Sequence, residues 1–215
     1  MIKKGGVVYP EGYTPPPGNQ ENVETRKSLL NVILGDHSKE ISEDLDTDLF
    51  EVMKRRRSTR KFDPKPVEDW KIQKILAAAD TAPTAGNFQG FEIFHVKNNN
   101  LKEKLVEAAN NQTYVNAPLV LVYFKNPSRV KLKFPEETLT KFAIQDATLA
   151  AAYSQLAATA LSLSTIWIGM IDEKKVSEII GTKLVPSSIL CIGYPIKRKF
   201  PKPRRNLSEL IHVLE

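Results

Sequence analysis

APLVLVYFK, residues 117–125, is the stretch that decides the fold. From Leu119 to Phe124 no charged or strongly polar residue interrupts it, whereas a strand with one wet face alternates apolar and polar side chains. A strand that is apolar throughout is covered on both faces, so the run predicts a central strand with helices above and below it. Working outward, FEIFHVK (91–97) alternates as a strand does, and TIWIGM (165–170) and SSILCIGYP (187–195) read as two more. Between and around them the period lengthens. FDPKPVEDWKIQKILAAAD (62–80) predicts a turn and then a helix that buries Val67, Trp70, Ile72, Ile75, Leu76 and Ala79. LKEKLVEAAN (101–110) predicts another helix, and FAIQDATLAAAYSQLAATALSL (142–163) a long one, apolar nearly all round and therefore buried. DEKKVSEIIG (172–181) predicts a short helix capped by Asp172 and stopped by Gly181. The fold class that follows is α+β, a sheet flanked by helices.

Before this lies DTDLFEVMKRRRS (46–58), a helix with Asp46 or Thr47 as its cap and Leu49, Val52 and Met53 along one face. Residues 1–20 carry Pro10, Pro15, Pro16 and Pro17 with little apolar periodicity, as an extended arm does. RKSLLNVIL (26–34) predicts a short helix, and GDHSKEISEDLD (35–46) a polar connector. Two units result: an arm and connector over 1–45 and a folded domain over 46–215.

The chain has 215 residues, 41% hydrophobic and 26% charged, the mix of a soluble globular protein. No stretch reaches the ~18 consecutive apolar residues of a spanning helix. MIKKGGVVYP at the start lacks the apolar core of a secretory signal. The single cysteine, Cys191, excludes an internal disulfide and argues against a thiolate metal cluster. His37, His95 and His212 are too far apart for a paired ligand motif. The expectation is a cytoplasmic protein without a metal or a membrane partner.

Net charge is +6, and its placement says more than its size. Lys54, Arg55, Arg56, Arg57, Arg60 and Lys61 fall in KRRRSTRKF (54–62). Lys197, Arg198, Lys199, Lys202, Arg204 and Arg205 fall in IKRKFPKPRRN (196–206). Twelve of the 31 basic residues thus occupy two short windows without an acid, which invites an anionic ligand between them. Nucleic acid is the competing ligand on charge alone. No zinc finger, RNP or helix-turn-helix pattern supports it, and no aromatics are interleaved for base stacking. No GxGxxG or GxxxxGK[ST] occurs, so a bound phosphate would be held by side chains. Guanidinium forks and a hydroxyl suit that task, and RRRSTR supplies both at a helix end.

APTAGNFQGFEI (82–93), the Ala-rich helix, TIWIGM, CIGYP and PKPRR follow the basic run in order. Over residues 48–212 this series resembles the nitroreductase family of FMN-dependent flavoproteins. The resemblance implies a nitroreductase-like fold with a mixed, mainly antiparallel sheet, and an entwined homodimer with the flavin at the subunit interface. It implies that Arg56, Arg57, Ser58 and Arg60 hold the ribityl chain and phosphate of FMN, joined by Lys202 and Arg204. It implies that Thr84, Asn87 and Gln89 line the flavin ring, partly from the neighbouring subunit, and that Ile168 and Gly169 lie near flavin N5. No protein acid or base is called for, and Asp146 reads as a structural partner for a nearby donor.

Departures from the family pattern are Thr84 where serine is commoner and Gly90 where many relatives have proline, the latter expected to loosen the loop. The segment 126–141 is short for a region that can carry a substrate cover, so the site is open or is covered by the arm. The implied chemistry is ping-pong hydride transfer from NAD(P)H through flavin N5 to an electron-poor acceptor such as a nitro compound or quinone. Reductive dehalogenation and flavin fragmentation use the same scaffold. A non-enzymatic anion- or nucleic-acid-binding protein is the reading from another class.

Overall fold

In a computed structural model of the chain, the residues described are 2–4, 7–9, 48–200 and 202–214. Strands β1 (Ile2–Lys4) and β2 (Val7–Tyr9) pair antiparallel, Ile2 opposite Tyr9. The helix expected over 26–34 and the connector after it lie outside the described residues.

Helix α1 (Leu49–Arg55) is capped one residue later than expected: Asp48 Oδ1 accepts from the Phe50 amide at 3.0 Å. Val52 alone is buried, while Leu49 and Met53 are exposed. The apolar spacing is present, but seven residues make two turns and only one of their faces meets the body. Helix α2 (Asp69–Asp80) buries Ile72, Ile75, Ala77 and Ala79 and leaves Trp70 exposed at its first turn, under Lys71 and Lys74. Then come β3 (Phe91–His95), α3 (Asn99–Ala108) and β4 (Leu119–Lys125). The long helix α4 (Glu136–Ala160) begins after Pro135, which suits a helix start because it has no amide to leave unpaired. β5 (Ser164–Ile168), α5 (Glu173–Ile180) and β6 (Val185–Gly193) complete the body. In α5 the cap is Asp172, accepting from the Lys175 amide at 3.0 Å, and Gly181 closes the helix at φ 77°, both as the sequence predicts.

The sheet order is β3-β4-β6-β5, with every neighbouring pair antiparallel. Its parallel component is a single bridge, Ser58 with Thr165, which lays the basic run alongside β5. β4 behaves as its composition requires, with every side chain from Leu119 to Phe124 removed from solvent. Leu119, Leu121 and Tyr123 face α2 and the alanines of α4, while Val120, Val122 and Phe124 face α3 and α5. Each such side chain contributes about 1.5–3 kcal/mol by leaving water. A register shift falls between Tyr123 and Phe124 of β4, opposite Ser188 and Pro186 of β6, where proline has no amide to pair.

α4 is not buried all round. Ala143, Ala147, Ala150, Ala151 and Ala158 pack against the sheet and α2, but Ile144, Leu149 and Tyr153 are exposed. Residues 202–214 are exposed throughout, including Leu207, Leu210, Ile211 and Val213.

Candidate active site

The two basic windows meet because the chain pairs with itself on either side of them. The Asp63 amide donates to the Tyr194 carbonyl at 2.8 Å, Phe62 and Pro195 form an antiparallel bridge, and the Ile196 amide reaches the Lys61 carbonyl at 3.4 Å. This short ladder is fixed from outside by a side-chain clasp. Tyr194 Oη donates to the Glu68 carboxylate at 2.7 Å and accepts from Lys71 Nζ at 2.7 Å, and the Lys65 ammonium lies 4.5 Å from the Tyr194 ring centre. Burial alone would raise the Glu68 carboxyl. The Tyr194 hydrogen bond, the backbone amide, Lys71 and Lys65 together outweigh it, Tyr194 contributing most among them, and hold the group at about 2.

Between the windows opens a cleft of about 640 Å³. Arg56, Arg57, Ser58 and Arg60 line it from one side, Lys199, Lys202 and Arg204 from the other, with no acidic residue in the lining. The crowding of cations is visible in Arg56, whose guanidinium is held below its ordinary pKa by burial first and then by Arg57 and Arg204. Arg57 Nη1 donates to the Arg56 carbonyl at 2.6 Å, yet its Nε is buried with no partner among the described residues. A cleft lined by crowded cations with no acid among them is arranged for an anion that brings acceptors with it. A phosphate meets that need. Lys199, read from sequence as a solvated edge, belongs to the lining, as do Met53 and Phe200. The sequence signal for Lys199 was its place in the second window, three residues before Lys202.

Ile168 ends β5 and is buried, and Gly169 follows it on the surface. They lie three and four residues beyond Thr165, the partner of Ser58, so about 10–13 Å along the strand from the basic cleft. Two residues that the sequence did not single out tie these places together. The Arg60 guanidinium lies 5.7 Å from the ring centre of Tyr114, Tyr114 Oη donates to Gln112 Oε1, and Gln112 Nε2 donates to the Met170 carbonyl at 3.4 Å.

The loop with Thr84, Asn87 and Gln89 is a tight structure of its own. Gly86, Asn87 and Gln89 all have positive φ. Thr84 Oγ1 accepts from the Gln89 amide at 3.2 Å, and Gln89 Nε2 donates to the Asn87 carbonyl at 2.8 Å. Asp146 of α4 fastens both ends, Oδ1 accepting from the Ala85 amide and Oδ2 from the Gly90 amide, each at 2.9 Å. Asp146 is thus the structural partner it was expected to be. Gly90 does not loosen the loop. It donates to a buried carboxylate, and an added Cβ would come within 2.8 Å of Val130. On a single chain this loop is not part of the basic cleft. Asp146 and Thr159, which accepts from Arg55 Nη2 at 3.2 Å, are thirteen residues apart on α4, about 20 Å at 1.5 Å per residue.

Trp167 packs against the core, and Cys191 is fully buried, its thiol pushed up by that burial. No His, Cys, Asp or Glu cluster able to hold a metal, and no helix long and apolar enough to cross a membrane, occurs among the described residues.

The sequence model of the nitroreductase family matches residues 53–118 and 108–194, the span that builds the sheet, the loop and the first basic window. The chain belongs to the nitroreductase family. A relative from Archaeoglobus fulgidus, named for NADH dehydrogenase or NAD(P)H nitroreductase activity, is 30% identical over 151 residues, 67% of this chain and 83% of its own length. The FMN reductase [NAD(P)H] of Bacillus subtilis is 28% identical over 166 residues, 69% of this chain and 66% of that one. Among solved structures, the NADPH:FMN oxidoreductase of Vibrio harveyi in complex with NAD+ superposes with a TM-score of 0.74 at 25% identity, covering 79% of this chain and 78% of that one. The architecture described above is therefore the nitroreductase fold.

Proposed function

We propose that the protein is an FMN-dependent oxidoreductase that takes hydride from NAD(P)H and passes it to an electron-poor acceptor such as a nitro compound or a quinone. The observation that carries this reading is the acid-free cleft where both basic windows converge. Family membership and the flavin reductases among the relatives support the same cofactor. Arg56, Arg57, Ser58, Arg60, Lys202 and Arg204 would hold the FMN phosphate and ribityl chain, and Ile168 and Gly169 the N5 edge of the ring. When bound, FMN supplies the hydride chemistry, accepting from NAD(P)H and donating to the acceptor in ping-pong order. The chain's own contribution is to fix charge and shape, which needs no protein acid or base.

The second half of the site comes from a partner. Thr84, Asn87 and Gln89 are not in the lining of the cleft on one chain, so in this reading the loop of one subunit completes the site of the other. The exposed apolar residues of α1, α4 and the C-terminal segment support a homodimer with two equivalent sites. The lone cysteine supports a reducing, cytoplasmic setting.

The test is the visible absorption spectrum of the purified protein, followed by heat release of the chromophore. One FMN per chain is expected. The double variant Arg57→Gln, Arg204→Gln should lose the flavin while keeping the far-ultraviolet circular dichroism of the parent. A colourless parent that takes up no added FMN, or a double variant that retains it in full, overturns the reading.

A further inference from the structure

The flavin phosphate leaves part of the basic charge unused. The inference below rests on that reading of the main cleft for its partition of the cations. Thr59 does not line the cleft that its neighbours Ser58 and Arg60 line. It lines a second cavity of about 260 Å³, bounded by α1, the C-terminal end of α4 and the start of β5. Arg57 borders both.

We propose that this second cavity binds a small phosphate, either the free ion or the phosphate of a small monoester, separately from the flavin. Arg55, Arg57 and Arg198 line it together with the hydroxyl residues Thr59, Ser162 and Ser164. Forked cationic donors mixed with hydroxyls are the donor set that a tetrahedral oxyanion takes. The one acid in the lining, Glu51, is already engaged by Lys54 at 3.0 Å.

The plain alternative is that these cations only complement the negative end of α4. Arg55 does so, donating to the Thr159 carbonyl. A helix terminus carries roughly half a charge, however, and one arginine meets it. Arg198, which does not line the flavin cleft, is then surplus, and Arg57 and Lys199 border both cavities. Ser162 adds a second oddity, a serine at φ 63°, where glycine or asparagine is the easier choice. It brings a hydroxyl to the cavity at some conformational cost. The volume limits the occupant. Pockets for drug-sized ligands run from ~300 Å³ upward, so this one suits a phosphate with a small remainder and not a dinucleotide.

The experiment titrates the flavin-loaded protein in phosphate-free buffer at fixed ionic strength, using calorimetry with inorganic phosphate and, in a second arm, with ribose 5-phosphate. Absorbance records flavin content throughout. Saturable binding at one site per chain, with flavin retained, is expected; the tighter of the two probes assigns free ion or monoester. Arg198→Gln should weaken it by about tenfold or more, the loss of one charge-assisted hydrogen bond. Ser162→Gly removes the hydroxyl while suiting the left-handed backbone, so it keeps the fold and should also weaken binding. Absence of saturable binding with both probes, binding unchanged in both variants, or release of flavin as phosphate binds would overturn the proposal. A protein that takes no FMN fails the functional reading by absorbance alone, while the titration still reads the second cavity.

Discussion

Gly90 donates its amide hydrogen to the buried carboxylate of Asp146 at 2.9 Å, and the same oxygen lies 2.9 Å from where a Cβ on Gly90 would stand. Contact and clearance are set together, so the position accepts neither a side chain nor a lost donor. Gly90→Ala should cost about 1–3 kcal/mol through overpacking. For a chain of this size that lowers Tm by roughly 2–12 °C. Gly90→Pro should cost more, because it also removes one of the two amides from which the buried carboxylate accepts. Differential scanning calorimetry checks both, and a proline variant as stable as the parent would refute this account of the loop.

Arg204 illustrates a site that trades stability for a ligand. It crowds Arg56 and Arg57 with like charge. In flavin-free protein, Arg204→Gln should therefore leave Tm unchanged or slightly higher. FMN affinity, followed by quenching of flavin fluorescence, should fall by about tenfold or more. A fall in both would make Arg204 a structural residue.

Leu149 and Tyr153, one turn apart on α4, are 37% and 36% exposed on a single chain. If they meet a second copy, Leu149→Lys should shift the sedimenting species from dimer to monomer and remove the flavin with it. A monomeric parent, or a monomeric variant that keeps its FMN, would contradict the shared site.

Glu68 gives a pH signature. Its pKa is depressed from 4.5 to about 2 in the folded chain, so its contribution is complete above about pH 4.5 and disappears as pH falls toward 2. The carboxylate is 35% exposed, so solvent screens part of the effect. Urea midpoints measured between about pH 5 and about pH 2.5 should fall less steeply in Tyr194→Phe than in the parent, since the variant lacks the main hydrogen bond that lowers the pKa. Equal slopes would remove Tyr194 as the cause.

Some of this was legible in the chain because the cause is local. Leu119–Phe124 is buried on both faces and its composition says so; Asp172 and Gly181 bound a helix by chemistry confined to a few residues. The basic windows were legible as a pair because charge without acid is a sequence property. Other features depend on partners far away in the chain. Nothing near Glu68 announces Tyr194, which is 126 residues on. Nothing in the alternation of KRRRSTRKF says that Thr59 opens onto a different cavity from Ser58. The exposed side of α4 misled for another reason: apolar periodicity marks a surface that leaves water, and it reads the same whether the cover is the chain's own sheet or something else. Asp48 took the cap from Asp46 and Thr47 because three candidate caps in a row differ only in where the first turn starts.

The strand order β3-β4-β6-β5 has a consequence for how the protein is made. β6, the last of these four strands in chain order, occupies an interior position, and until it arrives β4 and β5 have no strand between them. Until β6 joins, the sheet is open at its middle with two apolar strand edges exposed, the kind of intermediate that chaperones protect. The second basic window follows β6 in the chain, so the cleft needs residues made after all four strands of the sheet. A chain cut short before Val185 lacks both the closing strand and the far side of the basic cleft, and should reach the cell as aggregate or protease substrate rather than as a weaker enzyme.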